Sequence, residues 1–202
     1  LFACSSYYEV LCFKIQITFA PFIHNLETAM KTKEPLVLGI IDFENLIINM
    51  QEYLLVEWPS VENALRLFKE WVEKMGKIYG LYAFAPLHVL FQYDEVLENL
   101  GFIQISCPKM PGKGGEKLDT TDDKIISEGK KWINSISELT HIVLGSGDGG
   151  FEDMLKEAKR RGLKVAIAAS TRKSLSEKLS QIADEEKGTR KKMVHIFELV
   201  PR

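Results

Sequence analysis

Short apolar segments alternate with amphipathic helical segments along most of this 202-residue chain. The first apolar segment, Leu36–Asp42, has the composition of a buried strand, and Ile78–Phe84 is the next such strand. Between them, apolar residues at helical spacing predict a helix with Ser60 as its N-cap and Gly76 at its end. Strands and helices that alternate in this way form βαβ crossovers. The sequence therefore predicts an α/β fold, with a single three-layer α/β/α domain around a mostly parallel, doubly wound sheet.

The alternation continues through the rest of the predicted domain, without an internal repeat. Further strands are expected at Phe102–Ser106, His141–Gly145, Leu163–Ala169 and Met193–Leu199. Further helices are expected from a cap at Thr121 or Asp122 to about Ile136, and at His88–Leu100, Phe151–Arg161 and Ser174–Asp184. The segment "CPKMPGKGGEK" is rich in glycine and lysine, so we expect a loop there.

The two ends of the chain differ from this pattern. Residues 1–29 are apolar and aromatic, but Glu9 and Lys14 interrupt them, so they make a poor membrane span. Met30 stands just ahead of the first strand and is a natural start. We therefore assign residues 30–202 to the domain and residues 1–29 to an N-terminal extension that is not native or is poorly ordered. The terminal "LVPR" matches the remnant of a protease-cleavable tag, although a native origin also explains it.

Composition narrows the class of protein. Apolar residues make up 46% of the chain and charged residues 27%, which is ordinary for a soluble globular protein. The net charge of −2 provides no overall basic field for nucleic acid, although basic residues cluster at Lys156–Lys164 and Lys187–Lys192. The three cysteines have neither a metal-ligand spacing nor the even count of a disulfide framework. We therefore expect a cytoplasmic protein with no membrane partner.

Carboxylates follow three of the predicted strands. Asp42 ends the first strand, Asp148 follows the fourth, and Asp122 with Asp123 opens the helix after the third. Because sites in such sheets form at the carboxyl ends of the strands, we expect these acids to lie close together. Clustered carboxylates repel one another unless a cation lies between them, and oxygen ligands favour Mg²⁺ or Mn²⁺. Taken singly, each acid also has a structural explanation: a turn at Asp42, a helix cap at Asp122 and a tight turn at Asp148.

Four motifs give the chain a family resemblance. They are "IDFENL", "TTDDKII", "VLGSGDGGF" and "RRGLKVAIAAS" followed by "SLSEKLSQIAD". In this order and spacing they resemble the NYN domain family, a branch of the PIN-like nucleases, over about Leu36 to Leu199. The resemblance implies a metal-dependent ribonuclease that hydrolyses RNA phosphodiester bonds with Mg²⁺ or Mn²⁺ at the carboxyl edge of the sheet.

The resemblance also implies roles for individual residues. Asp42, Asp122 and Asp148 would be catalytic metal ligands, with Asp123 as a further ligand, and Asp119 is an alternative to Asp122. The side chains expected to position water, phosphate or carboxylates are Asn45 and Ser146. In the loop before the helix, Lys113 and Lys117 would meet RNA phosphates, although a role as ordinary surface lysines explains them equally well.

Two departures from the family pattern affect the expected activity. Gly150 stands where the family usually has a second Asp, and Glu128 stands where it often has another acid. A weakly active or inactive module that binds RNA or protein is therefore the main alternative. A Mg²⁺-binding phosphoacceptor domain is a third alternative, but its expected acid is missing at the end of the third strand. The RNA partner would be single-stranded or structured, and a homodimer remains open.

Overall fold

The computed structural model describes residues 34–48, 59–111, 117–118, 120–186 and 188–197. The predicted extension at residues 1–29 and the terminal "LVPR" lie outside these residues. None of the helices in the described ranges has the length and apolar character needed to span a bilayer.

A six-stranded parallel sheet forms the centre of the domain. Its strands are β1 (Leu36–Asp42), β2 (Lys77–Ala85), β3 (Phe102–Ser106), β6 (His141–Gly145), β7 (Lys164–Ala169) and β8 (Val194–Ile196). Their spatial order is β3-β2-β1-β6-β7-β8, so the chain builds outward from β1 first in one direction and then in the other. This arrangement differs from the 2-1-3-4-5 order of flavodoxin-like folds, to which phosphoacceptor domains belong. The phosphoacceptor alternative therefore does not match the sheet.

Helices cover both faces of the sheet. They are α1 (Pro59–Glu73), α2 (Leu87–Gln92), α3 (Asp94–Asn99), α4 (Thr121–Ser135), α5 (Glu152–Arg160) and α6 (Glu177–Ile182). One buried apolar cluster joins α1, α2 and α3 to the sheet, and a second joins α4, α5 and α6 to it. The predicted three-layer α/β/α fold is confirmed.

The first strand shows why both layers form. Val37 and Ile41 belong to the cluster under α1, whereas Leu38 and Ile40 belong to the cluster under α4. Successive side chains of a strand point to opposite faces, so an apolar run buries both faces only in a covered central strand. The continuous apolar segment before Asp42 therefore specifies the central position of β1.

Some helices and loops differ from those predicted from the sequence. The helix expected at His88–Leu100 is divided into α2 and α3 at Tyr93, whose ring is buried and packs against Phe43 at 5.1 Å. Ser60 lies in the first turn of α1 and is not its cap, because the helix already begins at Pro59, a favoured first position for proline. The expected loop before α4 contains a short antiparallel ribbon of β4 (Met110–Pro111) and β5 (Lys117–Leu118).

Gly76 ends the α1 region as predicted. Its φ angle of 152° lies in a region that L side chains rarely adopt, and a Cβ atom there would overlap the carbonyl oxygen of Pro35. The backbone amide of Lys77 donates to the same oxygen at 2.8 Å. The turn into β2 therefore depends on glycine.

Candidate active site

The carboxyl ends of β1 and β6 lie side by side at the point where the strand order reverses. Ile41 pairs with Gly145, Asp42 is the last residue of β1, and Ser146 directly follows β6. In open α/β sheets this switch point opens a crevice in which ligands bind. Two of the predicted site segments therefore meet at the position where a site is expected.

Asp42 is a buried acid. Its side chain is only 5% exposed, and burial raises its pKa from 3.8 to about 7. The negative charges of Asp122 and Glu44 raise the pKa further, against the opposing effect of two hydrogen bonds. None of the ion pairs in the described part of the chain includes Asp42. Its ionised form is therefore stabilised by hydrogen bonds, and no cationic side chain among the described residues forms an ion pair with it.

Both oxygens of Asp42 are held by neighbouring groups. The backbone amide of Asn45 donates to Oδ1 at 3.2 Å, and the Ser146 hydroxyl donates to Oδ2 at 3.3 Å. The Asn45 side chain in turn accepts a hydrogen bond from the backbone amide of Gly147 at 3.1 Å. Asn45 and Ser146 thus connect the loops after β1 and β6, and their role in positioning water, phosphate or carboxylates stays a prediction.

The loop after β6 is fixed by its own contacts. The backbone amide of Asp148 donates to Ser146 Oγ at 3.2 Å, and Asp148 Oδ1 accepts from the backbone amide of Gly150 at 2.8 Å. A Cβ atom at Gly147 would overlap the carbonyl oxygen of Ser174, so the loop approaches its neighbour very closely there. One oxygen of Asp148 therefore caps the turn at Gly149–Phe151. This matches the alternative explanation of Asp148 as a turn residue.

Asp122 and Asp123 lie in the first turn of α4 and are exposed. Neither Asp122 nor Thr121 is the N-cap, because Thr120 holds that position, so the predicted cap is wrong. The charge of Asp122 contributes to the raised pKa of Asp42, which places the two carboxylates within electrostatic reach of each other. Trp132, further along the same helix, stacks on Tyr82 of β2 at 4.1 Å and anchors α4 to the sheet.

Glu128 makes different contacts from the other acids. It forms ion pairs with Lys124 at 3.2 Å and Lys131 at 3.5 Å on α4. The hydrogen bond from Lys124, with the positive charge of Lys131, lowers the pKa of Glu128. Two lysines already compensate the charge of Glu128. It is therefore a poor substitute for the carboxylate that the family usually has at the position of Gly150.

The oxygen donors fit a hard divalent cation, but only with few protein ligands. Within the described residues, no group of three or more His, Cys, Asp or Glu side chains is arranged to hold a metal ion. Mg²⁺ commonly keeps several waters and takes only one or two carboxylates directly. Asp42 and Asp122 supply that number of carboxylates within electrostatic reach of each other. Metal ligation by Asp42, Asp122, Asp123 and Asp148 stays a prediction.

Three predicted residues before α4 have no described side chain. Lys113 and Asp119 lie outside the described residues, and for Lys117 only the backbone in β5 is described. Their expected contacts with phosphate or metal therefore stay predictions.

A hydroxyl cluster after β7 was not predicted. Ser170 is buried, and its Oγ lies 2.9 Å from Ser174 Oγ, which also accepts from the backbone amide of Thr171 at 3.0 Å. Ser174 is the residue that packs against Gly147, and Ser176 donates its amide to the Gly147 carbonyl at 2.8 Å. The sequence signal for this cluster is the hydroxyl-rich segment "STRKS", which directly follows an apolar strand. Because that strand, β7, borders β6, the segment lies next to the loop that carries Asp148.

The comparisons with known proteins agree with this arrangement. The family model of the NYN domain matches residues 38–186. The chain belongs to the NYN domain family. This family has a PIN-like nuclease fold, and the matched range includes every carboxylate of the candidate site.

Similarity to a solved structure supports the fold and says nothing about activity. The NYN chain is similar to a crystal structure of a protein of unknown function from Vibrio parahaemolyticus, with a TM-score of 0.65 and 16% sequence identity. The similarity covers 84% of this chain and 96% of that one. A search of curated proteins gives no match.

Proposed function

We propose that this NYN protein is a divalent-metal-dependent ribonuclease that hydrolyses RNA phosphodiester bonds. The observation that carries the proposal is Asp42, a buried carboxylate that has no ion-pair partner among the described residues and lies within electrostatic reach of Asp122. Such a pair is costly unless a proton or a cation compensates it. Its place at the switch point and the family membership both support an active site there.

Asp42 and Asp122 would hold Mg²⁺ or Mn²⁺, with Asp123 and Asp148 contributing directly or through water. When bound, such an ion offsets charge on the scissile phosphate and lowers the pKa of water. Asn45 and Ser146 fix the orientation of Asp42 through one hydrogen bond to each oxygen. The carboxylate therefore meets the cation in a set geometry and need not be ordered on binding.

Asp42 also connects metal binding to pH. Because burial raises its pKa to about 7, Asp42 exchanges its proton with solvent in the neutral pH range. A cation must displace that proton, since metal ligands bind in their ionised form. The proposed activity should therefore rise as pH increases through the neutral range.

The test is Mn²⁺-dependent cleavage of single-stranded and structured RNA. Asp42→Asn should lower the cleavage rate by about 100-fold or more, because even residues outside the ligand shell commonly contribute 10- to 100-fold. Asp153→Asn is the matched control, since Asp153 is an exposed acid in the first turn of α5. Cleavage that persists unchanged in Asp42→Asn protein, purified in parallel, would refute the proposal and indicate a contaminating nuclease.

A catalytically weak RNA-binding module is the second candidate. Two observations favour it: Gly150 replaces a usual acid, and the described residues contain no cluster of three metal-binding side chains. This candidate predicts RNA binding without Mn²⁺-dependent cleavage. Measuring binding and cleavage on the same RNA separates the two candidates.

A further inference from the structure

An apolar groove of about 620 Å³ lies beside the candidate active site. It is formed by the segments that follow β2 and β3, and Pro86, Leu87, Phe91 and Cys107 supply much of its lining. Phe91 is 80% exposed and Leu87 is 67% exposed, which makes them the two most exposed large apolar side chains among the described residues. The groove volume is within the range of about 300–1,000 Å³ that is typical of small-ligand sites.

The sheet register places this groove next to Asp42. Asp42 pairs with Phe84, and Pro86 follows two residues later along the same strand direction. With about 3.3 Å of rise per residue and about 4.8 Å between strands, the Cα atom of Pro86 lies roughly 8 Å from that of Asp42. The backbone amide of Cys107 donates to the Ala85 carbonyl at 2.9 Å, so the two walls are joined at their base. The Asp42 site and the Pro86 wall of the groove therefore lie close together at the carboxyl edge of the sheet.

The groove combines aromatic and cationic side chains. His88 and Lys109 lie at its wall with Phe91, and both are exposed. Proteins that bind single-stranded nucleic acid pair a basic track for the backbone with aromatic rings on which bases stack. An exposed aromatic ring in a groove that also presents a lysine fits that chemistry better than it fits a purely apolar partner.

We propose that this groove binds a base of single-stranded RNA beside the Asp42 site. Phe91 provides the stacking surface, and Lys109 contacts the phosphate of the bound nucleotide. The proposal rests on the proposed function, because it takes RNA as the substrate. It goes beyond that function in naming unpaired RNA as the preferred form and Phe91 as the residue that selects it.

Binding without catalysis is the direct test. The full chain is titrated against a short fluorescein-labelled single-stranded RNA, and against the duplex of the same sequence, in buffer with EDTA. Phe91→Ala should weaken single-strand binding by about fivefold to 150-fold, the range that corresponds to one stacked base. Duplex binding should change little, since paired bases cannot enter the groove. Lys109→Gln should reduce the salt dependence of single-strand binding, with a slope lower by about 0.7.

Tyr79→Ala is the matched control. Tyr79 is a 47% exposed aromatic residue of β2 that lies near the amino end of the strand, away from the carboxyl edge. This variant should bind single-stranded RNA like the wild type. Because Phe91 is largely exposed, Phe91→Ala should also keep the wild-type melting temperature, which separates a lost contact from a lost fold.

Several results would overturn the proposal. Equal single-strand affinity for Phe91→Ala and wild type would remove the stacking role, and an equal loss on single strand and duplex would remove the selection of unpaired bases. If Phe91→Ala converts a dimer to a monomer in sedimentation while RNA affinity is unchanged, the groove is a protein interface. Failure of Mn²⁺-dependent cleavage with the Phe91 effect intact would reject the nuclease function alone. Normal cleavage with no Phe91 effect would reject the groove alone.

Discussion

Replacing Asp42 by Asn removes a buried ionisable group and leaves a side chain of nearly the same shape. Burial is the main reason that the pKa of Asp42 is about 7 in the folded protein, against 3.8 for an unperturbed group. Each pH unit between two such values corresponds to about 1.4 kcal/mol. The folded state therefore favours the protonated over the ionised carboxyl by about 4 kcal/mol relative to the unfolded chain.

The sign of the effect follows from where the proton is held. Below pH 3.8 the carboxyl is protonated in both states. As pH rises from there to about 7, the unfolded chain releases the proton while the folded chain keeps it. The free energy of unfolding of metal-free wild type should therefore fall by up to about 4 kcal/mol over this interval and stay level above it.

Asp42→Asn should lack this part of the pH dependence. An Asn side chain can still accept from the Asn45 amide and can donate to Ser146 Oγ, so the packing is retained. At mildly alkaline pH without metal, the variant should therefore be more stable than wild type by about 2–4 kcal/mol.

The assay is urea unfolding in EDTA, followed by circular dichroism at several pH values between the two pKa values and above them. Asp153→Asn serves as control, because it removes an exposed acid from α5 and should follow the wild-type pH profile. An Asp42→Asn protein that is less stable than wild type at alkaline pH, with the same pH dependence, would refute the reasoning. That result would show that ionised Asp42 has a structural role in the fold.

Four further predictions concern metal binding and the loop after β6. Mn²⁺ affinity of the wild type, measured by calorimetry, should rise with pH through about 7 as Asp42 loses its proton, and a flat profile would exclude Asp42 as a ligand. Asp148→Asn should weaken Mn²⁺ binding but change the metal-free melting temperature little, because the Asn Oδ1 can still accept from the Gly150 amide. A large loss of metal-free stability would favour a structural role for Asp148. Gly150→Asp should fold, since a Cβ there meets only the Asp148 carboxylate, at 3.4 Å from Oδ1. It should bind Mn²⁺ more tightly and cleave faster, and unchanged affinity in a folded variant would show that the site is complete without that acid. Gly147→Ala should lower stability by about 2 kcal/mol or more in thermal melting, because its Cβ would overlap the Ser174 carbonyl, and a wild-type melting temperature would contradict that contact.

Strand positions were the most predictable part of the fold. Phe102–Ser106 and His141–Gly145 were predicted with their observed bounds, because each is a short run rich in apolar and β-branched residues next to a glycine. The break between α2 and α3 was not predictable from periodicity. It lies at Tyr93, whose burial against Phe43 depends on a residue fifty positions earlier in the chain. Tertiary packing of this kind overrides local helical preference.

The site was predictable in outline but not in its energetics. The strand-end position of Asp42 followed from the apolar run before it. Its raised pKa and its bond to Ser146 did not, because both depend on β6 lying directly beside β1. The cap at α4 was also missed, since any of several polar residues in "DTTDD" suits that position and the sequence alone does not choose among them.

The pairing of β1 with β6 has a consequence for how the protein is made. Ser146 and Gly147, the partners of Asp42 and Asn45, are separated from them by more than 100 residues of chain. During synthesis, a nascent chain that has not yet reached β6 lacks half of the candidate site, and its apolar β1 remains open on one side. Such an intermediate cannot protect that strand from pairing with other chains. The candidate site and resistance to aggregation are therefore acquired together, when the fourth strand of the sheet adds to the first.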